Sequence, residues 1–305
     1  MQAMTERLIF IERDWLSSNM VLTADDDGGC TLIDSGYVKH AGIAVALLRE
    51  ALPRLGHNSL TRLLNTHLHS DHCGGNAAMV QAFGCEVRVP IASAEDVARW
   101  DVQALSHAAT AQRCDPFVAD GVIAPGQILD LGGERWEVLA APGHDPKSLM
   151  FFAAQSGQLI SADVLWQTGF GVIFPELEDE SGFAEQQAML DLIERLPVRK
   201  VLPGHGPAFS DVAGSLALAR KRLQALRADP QRNRRHALKV LIKFMMLDAE
   251  RLLRAQLLEK VSSATLMVRM AARLGMDIDQ ALTWALSELC AQGALRREGD
   301  WVYDH

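Results

Sequence analysis

The pattern of apolar and polar positions changes about two thirds of the way along the 305-residue chain. Up to residue 212, short apolar runs alternate with segments whose apolar residues recur at helical spacing. The runs predict strands and the spaced segments predict helices, so we expect an α/β domain here. The predicted strands cover residues 7–12, 20–23, 31–34, 63–65, 86–89, 136–140, 149–153, 159–161 and 200–202, and the predicted helices 42–52, 77–83, 93–100 and 184–196.

After residue 212 the pattern becomes almost entirely helical. Residues 213–305 carry 16 basic and 10 acidic side chains, although the whole chain has a net charge of −8. This change in texture and charge predicts two domains, residues 1–212 and 213–305. Helices are predicted at residues 213–228, 232–247, 249–274 and 278–292, followed by a strand–turn–strand hairpin at 295–303. Helices that precede a terminal hairpin indicate a winged-helix-like module.

The composition is that of a globular protein, with 49% apolar and 22% charged residues. No apolar run reaches the length of about 18 residues that a membrane span needs, so no membrane association is expected. The cysteines are odd in number and include no C-x-x-C pair, which favours a reducing cytoplasm over a disulfide framework. They are Cys30, Cys73, Cys85, Cys114 and Cys290. We therefore expect a cytoplasmic protein.

Four potential metal ligands fall within the segment T-H-L-H-S-D-H at residues 66–72. His67 and His69 are two positions apart, so a tight loop can direct both imidazoles at one cation. Asp71 and His72 lie on the following turn and can face a second cation. Zinc and similar ions prefer nitrogen and carboxylate ligands of this kind, with one position left for water. The segment therefore predicts a metal site.

Three more segments, each directly after a predicted strand, carry the same residue types. They are P-G-H at 142–144, S-A-D at 161–163 and P-G-H-G-P at 203–207. Together with residues 66–72 they resemble the metallo-β-lactamase superfamily, in its order and spacing, from about residue 7 to 212. The resemblance implies an αββα sandwich, followed here by the smaller, mostly helical, winged-helix-like domain.

The resemblance also implies two divalent metal ions. Zinc is the expected metal, with iron and manganese as alternatives that bind the same ligand types. Seven ligands are assigned by the family pattern: His67, His69 and His144 to the first metal, Asp71, His72 and His205 to the second, and Asp163 to both. One departure is visible, because the family usually has glycine where this chain has Ala162, and we do not expect it to abolish metal binding.

The expected activity is hydrolysis. Two such ions can share a hydroxide that attacks the carbonyl or phosphorus of a substrate. Asp71 can orient the water and accept its proton, so it is the predicted catalytic residue. The segment W-Q-T-G-F-G-V-I-F-P at residues 166–175 follows the bridging aspartate directly. Its aromatic side chains, Trp166, Phe170 and Phe174, are predicted to line the substrate site.

The substrate is narrowed by family comparison. An aspartate at position 163 counts against β-lactam hydrolysis, and histidine at position 69 counts against the oxygen-reducing diiron branch, which usually has glutamate there. We expect a small-molecule substrate, a thioester, lactone or small ester, as in the glyoxalase II-like group. A binding or regulatory protein without catalysis is the least favoured reading, because all seven ligands are present.

An alternative is a metal-dependent phosphodiesterase or ribonuclease whose basic tail holds nucleic acid. Helical spacing of leucines among the basic residues, and the lack of interleaved aromatic residues, make this partner the less favoured one. The basic run comprises Arg220, Lys221, Arg222, Arg227, Arg232, Arg234 and Arg235. Two other roles of the tail stay open: formation of a homodimer, and a cover over the active site.

Three residues near these motifs are interpreted more simply. Cys73 adjoins His72 but is read as a buried small residue, since seven ligands are already available. His107 lies in a polar stretch, residues 106–115, that could approach the substrate. His236 has no ligand-like neighbours in the sequence.

Overall fold

The computed structural model describes residues 7–305. Its first sheet has six strands in chain order: β1 (Leu8–Ile11), β2 (Met20–Ala24), β3 (Cys30–Ile33), β4 (Arg62–Leu64), β5 (Glu86–Pro90) and β6 (Gly121–Ile123). The first three strands are antiparallel, whereas β3 to β6 run parallel. Parallel neighbours need crossover segments, and these contain α1 (Ala41–Ala51), α2 (Ser70–Cys73), α3 (Asn76–Phe83) and α4 (Ala94–Arg99).

The second sheet has five strands in the order β11-β10-β9-β8-β7. They are β7 (Ile128–Leu131), β8 (Glu134–Ala140), β9 (Leu149–Ala153), β10 (Gln158–Ala162) and β11 (Lys200–Pro203). Only β10 and β11 are parallel, and α5 (Phe183–Arg195) makes the crossover between them. The next helix, α6 (Val212–Ala228), packs on α5.

The two sheets face each other across a shared apolar core. Ile33 and Leu64 of the first sheet pack in one cluster with Trp136, Phe151 and Leu202 of the second. The outer face of the first sheet is covered by α1 and α3, and that of the second by α5 and α6. The predicted α/β class and αββα sandwich are therefore confirmed.

The remaining chain builds another apolar core that is mostly helical and that also includes Val172 and Leu177. Its elements are α7 (Gln231–Ala249), β12 (Arg251–Leu253), α8 (Arg254–Ser263), α9 (Thr265–Arg273), α10 (Ile278–Ala291), β13 (Leu295–Glu298) and β14 (Trp301–Asp304). The three short strands form a sheet in the order β12-β14-β13. The winged-helix-like description and the boundary at residue 212 stay predictions, and α6 shares the core of the second sheet rather than this one.

Two parts of the secondary-structure prediction were wrong. Residues 249–274, expected as one helix, contain β12, α8 and α9, because Glu250 adopts a left-handed φ of 64° and Leu252 then pairs with Val302. Strands β6 and β7, of three and four residues, were not predicted. Within residues 7–305, none of the helices combines the length and apolar character that crossing a membrane requires.

Candidate metal centre

The seven predicted ligands come from loops at one edge of the sandwich. His67 and His69 follow β4, and Asp71 and His72 lie on the one-turn helix α2. The other three follow the second sheet's strands: His144 after β8, Asp163 after β10 and His205 after β11. Strand ends bring loops from distant parts of the chain to a common edge, where α/β folds place their sites. The structure brings all seven side chains together.

Three imidazoles form the first ligand set. The Nδ1 atom of His69 lies 3.1 Å from Nε2 of His67 and 2.8 Å from Nε2 of His144. Ligands about 2.0–2.1 Å from a tetrahedral zinc would be roughly 3.3 Å apart. The spacing of these nitrogens is therefore close to that of three ligands around one cation.

A carboxylate and two imidazoles form the second set. Nε2 of His205 lies 3.1 Å from Oδ2 of Asp71, and Nε2 of His72 lies 3.9 Å from the same oxygen. Asp163 stands between the sets, with Oδ1 3.3 Å from Nε2 of His72 and Oδ2 3.4 Å from Nε2 of His144. One carboxylate oxygen thus faces each set, as a bridging ligand requires.

Hydrogen bonds on the far side of two imidazoles fix which nitrogen carries a lone pair. Nδ1 of His144 donates to the carbonyl oxygen of Val172 at 2.5 Å, and Nδ1 of His72 donates to Oδ2 of Asp34 at 2.8 Å. Both acceptors lack a proton to give, so Nε2 of each ring is the atom available to a metal. Within residues 7–305, the buried Nε2 of His72 has no hydrogen-bond partner.

The electrostatics also suit cations. Burial lowers the pKa of His69 and of His144 to about 4, so both rings are neutral at pH 7, as ligands must be. The nearby carboxylates, Asp163 first, outweigh burial and raise the pKa of His72 well above its usual value. The buried carboxylates therefore attract positive charge at this point. The donor set, the lone-pair directions and the charge all fit two divalent metal ions.

Asp34 supports the centre and was missed by the sequence analysis. Its carboxylate accepts hydrogen bonds from the backbone N–H and hydroxyl of Thr66 as well as from His72. It follows the buried strand β3 directly, as Asp163 follows β10. That position after a strand was the one available signal.

The backbone beside Asp163 explains the departure at position 162. Ala162 adopts a left-handed φ of 46°, which glycine tolerates without strain and alanine adopts at a cost of roughly 1 kcal/mol. Gly204 passes so close that a Cβ atom there would collide with the Asp163 carboxylate. The loop geometry is thus kept with alanine at position 162, whereas position 204 admits only glycine.

Two cavities that share lining residues lie beside the candidate ligands. The inner one, about 60 Å³, is lined by Asp71, Asp163 and Trp166 among others, and the outer one is about 380 Å³. His69 and Phe174 line both. The inner cavity thus has room for a scissile group, and the outer one for the rest of a small substrate.

Of the three aromatic residues predicted to line the substrate site, Trp166 and Phe174 lie beside the inner cavity. The indole N–H of Trp166 donates to Oδ1 of Asp163 at 3.3 Å, and the ring of Phe174 lies 4.7 Å from that of His69. The predicted place of Phe170 in the substrate site is corrected by the structure. Its side chain is fully buried in the core, and its ring lies under the Arg222 guanidinium. Trp15, which the sequence analysis missed, packs on Trp166 and His205 while 56% exposed.

The C-terminal part also contributes to the cavity. His236, Val240, Leu241 and Phe244 of α7 line the inner cavity, and Arg269 of α9 lines the outer one. The polar stretch 106–115 approaches the site as expected, through side chains that include Ser106 and Gln112, but His107 is not among the lining residues. The tail therefore covers the metal centre, one of the two roles left open by the sequence.

Comparisons with known proteins identify the family of the chain. A family model for the metallo-beta-lactamase superfamily matches residues 13–205. A hydroxyacylglutathione hydrolase of Rhodobacter capsulatus is 32% identical over 164 residues, 52% of this chain and 53% of that protein. Another, of Anaeromyxobacter dehalogenans, is 30% identical over 212 residues, 69% of this chain and 70% of that protein. The chain thus matches about half of the first relative's length.

Solved structures share the fold along the whole chain. A beta-lactamase domain protein of Burkholderia ambifaria superimposes with a TM-score of 0.57 at 20% identity, covering 100% of this chain and 94% of that one. A metallo-beta-lactamase family protein of Thermus thermophilus has a TM-score of 0.56 at 19% identity, covering 99% and 100%. At these identities the likeness concerns the fold alone.

Proposed function

Because the chain belongs to the metallo-beta-lactamase superfamily, we propose that it is a metal-dependent hydrolase of small thioesters, lactones or other esters. The observation that carries the proposal is the convergence of five imidazoles and two carboxylates, with Asp163 facing both ligand sets. Zinc is the proposed metal, since nitrogen and carboxylate donors of this number suit it.

The chain's own residues have distinct tasks in this reaction. When bound, two divalent ions supply an activated water at neutral pH and polarise the substrate's carbonyl oxygen. Asp71 lines the inner cavity, where its carboxylate can orient the water and accept its proton. Trp166 holds the orientation of Asp163 through its indole N–H. Trp15 and Phe174 narrow the cavity and exclude bulk water.

The charges around the outer cavity favour a substrate without several negative groups. Lys147 pairs with Asp96 at 2.5 Å, and Arg269 pairs with Glu178 at 2.7 Å. Both cations that line the cavity are therefore neutralised by the protein itself. This supports a small thioester or ester over a phosphodiester, although hydroxyacylglutathione hydrolases among the relatives make a glutathione thioester one candidate.

A substrate screen tests the proposal. Zinc-loaded protein is assayed against acyl thioesters, including hydroxyacyl-glutathione, and against lactones, phosphodiesters and short RNA, each with a chelated control. We expect turnover of a thioester, lactone or ester that chelation abolishes. Turnover of phosphodiesters alone, or activity indifferent to chelation, would contradict the proposal.

Asp163→Ala links the activity to the ligands. The variant should lose bound metal and hydrolysis together, because its carboxylate serves both sets. Asp25→Ala is the matched control, since Asp25 is also 4% exposed but is held by Thr23 and Thr31 and does not line the cavity. Full metal content in Asp163→Ala would refute its bridging position.

A further inference from the structure

A second group of side chains of the types that bind metals lies next to α2, the one-turn helix that carries Asp71 and His72 and that we call the ligand turn. Cys73 at the end of α2, with His107 and Cys114 of the following long loop, places two sulfurs and an imidazole nitrogen within 4.8 Å of one another. We call these three residues the thiol cluster. None of them belongs to the seven-ligand centre, and the proposed hydrolysis uses none of them.

The spacing of the two sulfurs is that of a metal dithiolate. Sγ of Cys73 lies 3.7 Å from Sγ of Cys114. A disulfide would bring them to about 2.05 Å. Two thiolates about 2.3 Å from a tetrahedral zinc stand roughly 3.8 Å apart. The separation therefore excludes a disulfide in this structure, and it suits a shared cation between the sulfurs as well as a thiol–thiol hydrogen bond.

His107 gives an independent indication of a ligand. It is only 3% exposed, yet neither Nδ1 nor Nε2 makes a hydrogen bond within residues 7–305. A buried imidazole normally has at least one partner, because an unsatisfied polar atom costs about 1–3 kcal/mol. The Trp100 ring lies 6.2 Å from the His107 ring between centroids, and both thiol sulfurs lie within 4.8 Å of a His107 nitrogen.

We propose that the thiol cluster binds one thiophilic divalent cation, with zinc as the first candidate, separately from the two-metal centre. Two thiols and one imidazole are a frequent zinc ligand set that leaves a fourth position for water. Binding releases the two thiol protons to solvent, so the site gains no net charge. Cys114 is half-buried, which gives the cation an entry path.

The position of the cluster indicates that this cation would fix a loop that lines the cavities. The loop from residue 100 to 120 contains no helix or strand, yet it lines both cavities. Its other links to the protein include the Ser70 hydroxyl, which donates to Gln112, and Asp248, which pairs with Arg113. A cation on Cys73, one residue from His72, would join this loop directly to the ligand turn and hold the substrate wall in place.

Cobalt substitution distinguishes the two kinds of site. The seven-ligand centre has no sulfur, so only the thiol cluster can give the near-ultraviolet absorption of a thiolate-to-cobalt charge transfer. We expect reduced, metal-free protein titrated with Co²⁺ to show this band, and Zn²⁺ to displace it. Cys114→Ser and His107→Ala should lose or strongly reduce the band while keeping the visible cobalt bands of the other centre.

Cys290→Ser is the matched control, because Cys290 is a half-buried thiol on α10 outside the cluster, and it should keep the band in full. Absence of the band in the wild type would overturn the proposal, as would its persistence in Cys114→Ser. A count of three free thiols instead of five in protein purified without reductant would also overturn it, in favour of a Cys73–Cys114 disulfide. The wild-type titration decides even where a variant fails to fold.

Discussion

The carboxylate of Asp34 shows how a residue can govern a metal without touching it. It holds Nδ1 of His72 by a hydrogen bond and so directs Nε2 toward the second ligand set. It also anchors Thr66, whose hydroxyl lies 3.1 Å from Nδ1 of His67. One buried carboxylate therefore orients a ligand in each set.

Asp34→Asn should weaken metal binding by about 10- to 100-fold without loss of the fold, because outer partners of ligating histidines contribute at this level. Competition with a chromophoric chelator measures the affinity. Asp25→Asn, a change at a buried aspartate away from the centre, should leave it unchanged. Equal affinities in the two variants would contradict the orienting role of Asp34.

His236, one of the α7 residues that form the roof of the inner cavity, makes the stability of the fold depend on pH. Burial, together with Arg222 and Lys239, lowers its pKa to about 4 from a usual value of 6.5. The unfolded chain then binds more protons than the folded chain between pH 6.5 and 4, so stability falls as pH falls through this window. Acidification from pH 7 to 5 should destabilise the wild type by about 1–2 kcal/mol more than His236→Gln. Urea unfolding of both proteins at both pH values measures this difference, and identical losses would be the contrary result.

The sequence identified the seven side chains that converge in the structure because they lie in short motifs at strand ends. It did not predict Asp34, Trp15 or the cavity position of His236. These residues acquire their roles only through contacts across the fold, such as Trp15 with His205. The role predicted for Phe170 failed for the same reason, since packing under Arg222 turns its ring into the core.

At the scale of elements, helix α7 is the main addition of the C-terminal part to the site. Some of its apolar residues pack in the core that it shares with α10, and others line the inner cavity as its roof. Helical periodicity predicted this helix and its apolar face but could not show that part of the face meets the metal centre. The predicted helix over 249–274 failed because strand pairing with the terminal hairpin is a non-local contact that overrides local propensity.

Val240→Trp tests the roof. The larger side chain should obstruct the inner cavity and lower kcat/KM about 10- to 100-fold, the effect expected from misplacing a substrate by about 1 Å. Metal content should not change. Val268→Trp, at a valine of α9 that is 40% exposed, should retain full activity. Unaltered kinetics in Val240→Trp would mean that α7 does not limit access.

For the molecule as a whole, the basic tail is less available to nucleic acid than its composition indicates. Arg220 pairs with Asp191 and Glu194, and Arg234 pairs with Asp179. Domain-level charge was predictable from the sequence, but this pairing was not, because the acidic partners lie in the first 212 residues.

Binding to short single-stranded RNA should therefore be weak and depend little on salt. Seven free cations would give a slope of about −5 in log Kobs against log salt concentration. We expect a slope shallower than about −2, measured by fluorescence anisotropy over a range of salt concentrations. A slope near −5 would support the nucleic-acid alternative.

The most direct test of the whole account is anomalous diffraction at the zinc edge from crystals of the zinc-loaded protein. We predict a pair of peaks about 3.5–4 Å apart, one against His67, His69 and His144 and one against Asp71, His72 and His205, with Asp163 between them. A separate peak at the thiol cluster belongs to the further proposal and is not part of this test. A map without these paired peaks, or with the seven side chains turned away from them, would contradict it.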